Sequence, residues 1–248
     1  MYRPSPNLVE CVYTPQRIAA VVDVLSKDGI SASRALNGTD LSSSDLKSPH
    51  TRVSYRQVEA VFRNAIRLSK DPTIALRAGE RMNAAAYGIY GYALLSSPTR
   101  ADCIDFVTKY GRSIGALADV ELLRQGNTAT CIFEPLLSRN PMDDIYRFAL
   151  EFAFATYQTI SRDLYGASFR FSGLRVTYPP PSHAGIYRRM FRCPVQFDQP
   201  RNELEFETAW IDHPTVCPDS RTNTMLGEMC GRIIDHVHQD GGIAAAIR

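Results

Sequence analysis

No two cysteines in this chain stand close enough to make a metal knuckle. Six are present, at positions 11, 103, 131, 193, 217 and 230, and none has a partner at zinc-site spacing. The first thirteen residues, MYRPSPNLVECVY, lack the apolar segment of a secretory leader. Without that signal the cysteines read as reduced, mostly buried thiols. No stretch approaches the roughly 18 apolar residues of a membrane span, so the expected compartment is the cytoplasm. The loops G-x-x-x-x-G-K and G-x-G-x-x-G are absent, as is H-E-x-x-H, so no common nucleotide or zinc motif is signalled. Excess charge is missing too. A net charge of +2 falls short of the concentrated basic face that nucleic acid requires.

What remains is ordinary globular material. The chain has 248 residues, 44% of them hydrophobic and 22% charged, enough to build a core without staples. Its longest amphipathic run is Asn140 to Gly166, where Ile145, Phe148, Ala149, Phe152, Ala155, Ile160 and Leu164 recur at helical spacing. Asn140 suits a cap, Pro141 the first helical position, Asp143 a capping-box acid and Gly166 a left-handed stop. Phe154 and Tyr157 widen the apolar surface, so this central helix is expected to be contacted on more than one side.

Upstream, the pattern predicts helices after Thr14-Pro15, after the Ser54/Gln57 capping pair, after Asp71-Pro72 and after the Thr99/Asp102 pair. Between the last two, Gly88 and Gly91 predict a bend or close backbone approach. From about residue 119 the period shortens. Gly126-Asn127 predicts a hairpin. Phe169–Tyr178 reads as a strand, His183–Phe191 as a short helix, and Pro194–Glu207 as two strands about a turn at 199–202. Thr222–His238 closes the series, with Gly241-Gly242 as its stop. The expected fold is α+β. A helical half (1–116) packs on an α/β half (117–221) with a small, mainly antiparallel sheet, and a connecting helix (222–240) follows in one domain.

No residues converge on an obvious reaction. His236-x-His238 is poorly spaced for a shared helix face. Cys103, Cys131 and Cys193 read as buried thiols, although His183 precedes Cys193 by ten residues. Asp143 and Asp144 are explained by the first turn of a helix. Two groups suit binding. Tyr87, Tyr90, Tyr92 and Tyr110, faced by Phe152, Phe154 and Tyr157, could line a small-molecule pocket or form a plain core with hydroxyls at its rim. Arg188, Arg189, Arg192 and Arg201 could receive an anion or be a solvated face.

Three segments carry a resemblance: SYRQVEAVFRNAIRLSKDPTIALRAGERM (54–82), YGIYGYALLSSPTRADCIDFVTKYG (87–111) and IYRRMFRCPVQFDQPRNELEF (186–206). In this order and spacing they resemble the N-terminal ligand-sensing, arabinose-binding-type domain of AraC/XylS transcription regulators, in the ornithine-utilisation-regulator-like branch. The resemblance runs from about Leu25 to the C-terminus. It implies a cytoplasmic, self-associating domain that binds a small-molecule inducer. It also implies DNA binding only through a C-terminal helix-turn-helix module, which this sequence, ending at AAAIR, is expected to lack. The long helices argue against the sugar-binding jelly roll of the arabinose regulator. The inducer is expected near Tyr87, Tyr90, Tyr110, Phe152, Tyr157 and Arg188. The dimer contact is expected along Met225, Leu226, Met229 and Ile233, a seam that equally suits packing on its own domain. No catalytic residue, metal or cofactor is expected. The competing readings are a stand-alone enzyme with a site assembled in space and an interaction module whose aromatics are only core.

Overall fold

A helix buried on two sides organises the protein. The computed structural model describes residues 7–246, with side chains through Ile233 apart from Arg112. This helix, α7, spans Asp144–Tyr165, 22 residues and about 33 Å. It starts later than the sequence suggested. The Asn140 side chain is spent on the Met142 amide at 3.1 Å, and the Asp143 carboxylate caps the helix through the Ile145 amide at 3.0 Å. Gly166 ends it as expected, but at φ +70° and ψ −163°, a glycine conformation other than the expected left-handed one.

One side of α7 presents Ile145, Phe148, Ala149 and Phe152 to the core of the helical half. That half comprises α1 (Gln16–Lys27), α2 (Ala32–Ala35), α3 (Tyr55–Leu68) and α4 (Ile74–Gly79). Phe62 of α3 meets Phe148 and Phe152 at ring distances of 4.5 and 5.5 Å. Ser54 and Gln57 form the expected capping box at the start of α3. Gly79 lets α4 touch α7. A Cβ there would strike the Phe152 carbonyl and lie 2.7 Å from the Ala155 Cβ.

The other side of α7 carries Tyr146, Leu150, Phe154 and Leu164 into a second core with the sheet. A 3-10 turn (Ala84–Tyr87), α5 (Ile89–Ser96) and α6 (Arg100–Tyr110) pack into this second core. Gly88, at φ +55°, makes the expected bend. Gly91 supplies the close approach, since a Cβ there would collide with the Ala84 carbonyl. Thr99 and Asp102 form the second capping box.

The sheet is open and five-stranded, in the order β1-β2-β5-β3-β4. Strands β1 (Ala118–Gln125) and β2 (Thr128–Pro135) pair through the predicted two-residue turn, with Gly126 at φ +58°. Strand β5 (Glu203–Glu207) lies antiparallel to β2. Strand β3 (Gly173–Arg175) is much shorter than the run Phe169–Tyr178 suggested. Ahead of it, Arg170 donates to the Ala167 and Phe169 carbonyls, and Phe169 and Phe171 serve the core instead of the ladder. Helix α8 (Ala184–Phe191) leads to β4 (Val195–Gln196). The expected β4–β5 hairpin does not form. Strand β3 sits between them, parallel to β4 and antiparallel to β5. Asp198, at φ +54°, and a bond from the Gln199 amide to the Val176 carbonyl (2.9 Å) turn the chain away.

Helix α9 spans Ser220–Ala246. It runs through Gly241-Gly242, which lowers helix propensity but does not stop it. The side chains of His236, Val237 and His238 lie outside the described residues. The architecture is α+β and mainly antiparallel, as expected. Among the described residues no helix is long and apolar enough to cross a membrane.

Candidate functional site

A cavity of about 110 Å³ lies where α5, α6 and the first two strands meet α7. Leu94 of α5, Ile104 and Val107 of α6, Phe133 of β2 and Leu164 of α7 make its apolar walls. Four of the six residues expected to bind a ligand line it: Tyr87, Tyr90, Phe152 and Tyr157. Tyr110 does not. Its ring packs on Phe106 at 4.8 Å and its hydroxyl faces Gly231 of α9. Arg188 is also elsewhere, exposed on α8. A helix of eight residues with Tyr187 and Phe191 buried must turn its arginines outward, so the basic group around Arg188 is not part of this cavity.

Arg100, which sequence reasoning passed over, is a cation lining the cavity. It is 2% exposed. Its guanidinium carbon lies 4.2 and 4.3 Å from the ring centres of Phe169 and Phe206, and 4.9 Å from that of Tyr165. The Nε and Nη2 atoms are buried without a hydrogen-bond partner. A weak signal existed in its position. Arg100 is the first residue of α6, where the helix dipole disfavours a cation. A second arginine, Arg17 of α1, also lines the cavity and donates to the Ile114 carbonyl at 2.7 Å. Among the described residues no aspartate, glutamate or histidine lines it.

The phenols are donors at neutral pH. Burial pushes the hydroxyl pKa of Tyr90, Tyr157 and Tyr165 well above the ordinary tyrosine value. Tyr157 meets the Cys131 thiol at 3.2 Å, whereas the Tyr90 and Tyr165 hydroxyls have no oxygen or nitrogen partner. The cysteines considered as nucleophiles are held protonated. Burial raises Cys103 and Cys131, and burial with Glu205 nearby pushes Cys193 up to about 11. His183 instead faces Glu151.

That pair belongs to a second, polar cavity of about 320 Å³, lined by Lys70, Asp71, Arg147, Glu151 and His183. The Glu151 carboxylate is buried and accepts from Tyr187 Oη (2.7 Å) and pairs with His183 Nε2 (2.8 Å). Tyr178 Oη meets Tyr187 Oη at 2.9 Å. This network ties α7 to α8. A glutamate beside Phe148 and Phe152 on an apolar stripe was its signal in the sequence.

Helix α9 is joined to the first cavity's walls. Asn223 Nδ2 donates to the Ala93 carbonyl (2.8 Å) and to Ser97 Oγ (3.1 Å), at the end of α5. Gly227 lies against Phe106 and Gly231 against Tyr110, both on α6. On the outer face Met225 (53% exposed), Met229 (36%) and Ile233 (47%) form a stripe, while Leu226 is half-buried.

Comparison with known proteins bears on this geometry. The arabinose-binding domain of the N-terminus of AraC transcription regulators matches residues 29–215. The chain is 27% identical over 230 residues to the ornithine utilization regulator of Pseudomonas aeruginosa, covering 92% of this chain and 67% of that protein. It is 23% identical over 232 residues to an HTH-type transcriptional regulator of Mycobacterium tuberculosis, covering 91% and 66%. The fold resembles the crystal structure of the transcriptional regulator CdpR from Pseudomonas aeruginosa, with a TM-score of 0.66 at 14% identity, over 91% of this chain and 65% of that one. The chain therefore spans about two thirds of the length of these relatives.

Proposed function

Because this chain belongs to the family of arabinose-binding N-terminal domains of AraC transcription regulators, we propose that the cavity beside Tyr87, Tyr90 and Phe152 holds the effector to which such a regulator responds. The observation that carries this reading is the apolar cavity between the two cores, with buried donors left without partners. A ligand shifts a switch only by binding its two states unequally. Here occupancy would bear on α5 and α6, and through Asn223, Gly227 and Gly231 on α9. DNA binding is assigned to a helix-turn-helix part of the regulator beyond the matched region, and the compartment to the cytoplasm. An enzyme is the weaker reading. The relatives are regulators, and the buried Glu151–His183 pair is spent on tyrosine and helix contacts.

The family's name suggests a sugar and that of the Pseudomonas relative a diamino acid. Neither suits this cavity. Sugar hydroxyls would lose water against apolar walls, and an ammonium group would find no acid among the lining residues.

The test is a thermal-shift panel of small metabolites on the wild type and Val107→Phe, which fills the cavity from α6. At least one compound should raise the wild-type melting temperature by several degrees and leave Val107→Phe unmoved. A compound that stabilises both equally binds elsewhere.

Self-association is assigned to the exposed stripe of α9. Met229→Asp should convert a dimer to a monomer in sedimentation analysis without lowering the melting temperature of the isolated subunit. A monomeric wild type, or a variant still dimeric, would remove this assignment.

A further inference from the structure

We infer that the cavity takes a small organic anion, a single carboxylate on an apolar body smaller than a benzene ring. This rests on the reading of the cavity as the effector site. Arg100 is the residue that points to an anion. Its planar face is occupied by the rings of Phe169 and Phe206. Its edge is not. Nε and Nη2 are the two nitrogens on one side of a guanidinium, the fork that grips a carboxylate through two parallel hydrogen bonds. Both are buried, both lack a partner, and the residue lines the cavity.

Among the described residues no acidic side chain lines the cavity, and the second lining cation, Arg17, adds to the positive potential. A buried cation without an acceptor is unfavourable, so a guest carboxylate gains what the empty site lacks. The buried Tyr90 hydroxyl is a further unspent donor among the lining residues. The remaining walls, Leu94, Ile104, Val107, Phe133 and Leu164, ask for hydrocarbon.

Volume sets the size. An apolar cavity of roughly 150 Å³ accepts benzene, and this one measures about 110 Å³. Short alkyl carboxylates therefore fit, whereas a six-membered ring with its carboxylate exceeds the space. A cyclic dinucleotide or a long acyl chain does not. A zwitterionic amino acid is disfavoured because its ammonium group has no acceptor.

The experiment is calorimetric titration of the wild type, Val107→Phe, Arg100→Met and Arg100→Gln with three acids and their neutral amides. The pairs are butyrate and butyramide, isobutyrate and isobutyramide, and isovalerate and isovaleramide. At least one acid should bind the wild type, with its amide at least tenfold weaker. Both Arg100 variants should lose at least tenfold for the acid and little for the amide, and Val107→Phe should bind neither. If amides bind as well as acids, the anion assignment is overturned while the cavity remains the site, because Val107→Phe still blocks it. If neither acid nor amide binds the wild type, the cavity reading falls and this inference falls with it. Should both Arg100 variants fail to fold, the acid–amide contrast on the wild type decides alone.

Discussion

Replacing Arg100 by methionine is expected to leave the ligand-free protein within about 1 kcal/mol of wild-type stability, or to raise it, while removing its response to acidic ligands. Two terms of opposite sign meet at this residue. The rings of Phe169, Phe206 and Tyr165 favour the cation, by about 2 kcal/mol for a desolvated contact. Against that stand the several kcal/mol of effective desolvation and the unmade bonds of Nε and Nη2. Methionine keeps the volume and makes good contacts with rings. Urea denaturation measures the balance. A loss above about 3 kcal/mol would mean that Arg100 is a structural post, held for its ring contacts and not for a guest.

Glu151 should behave in the opposite way. Glu151→Ala is expected to destabilise the protein by about 3–5 kcal/mol. The carboxylate is the shared acceptor of His183 and Tyr187, and Tyr187 in turn meets Tyr178. Its removal leaves a buried imidazole and a buried phenol without an acceptor and opens a void between α7 and α8. At roughly 2–4 °C per kcal/mol for a chain of this size, the melting temperature should fall by about 10 °C. Arg189→Ala, on the exposed side of α8, should change it by no more than a degree or two. If Glu151→Ala were as stable as the wild type, the network would not be a structural joint, and the polar cavity beside it would become the better candidate for chemistry.

These two side chains mark where the sequence stopped being readable. Local chemistry was legible. The Ser54/Gln57 and Thr99/Asp102 capping boxes, the Gly126-Asn127 turn, the bend at Gly88 and the two-sided α7 all follow from near neighbours in the chain. The aromatic wall was legible for the same reason, since Tyr87 and Tyr90 share a bend and Phe152 and Tyr157 share a helix. Long-range choices were not. Strands β4 and β5 alternate as a hairpin would, yet β3 lies between them, because pairing is decided by which edge is open and not by the strand's own pattern. Arg188 looked like the ligand's cation because it sits in a basic cluster. Arg100 is the buried one because α6 aims it at rings contributed by residues 165, 169 and 206. Nothing in its own neighbourhood announces that.

Hydrogen–deuterium exchange tests most directly whether cavity and α9 form one device. The comparison is the wild type with and without a compound that stabilises it but not Val107→Phe. Exchange should slow in residues 87–110, around the cavity, and together with them in residues 220–233 of α9. Slowing confined to 87–110 would break the proposed link to α9, and slowing that spares 87–110 altogether would place the guest somewhere else.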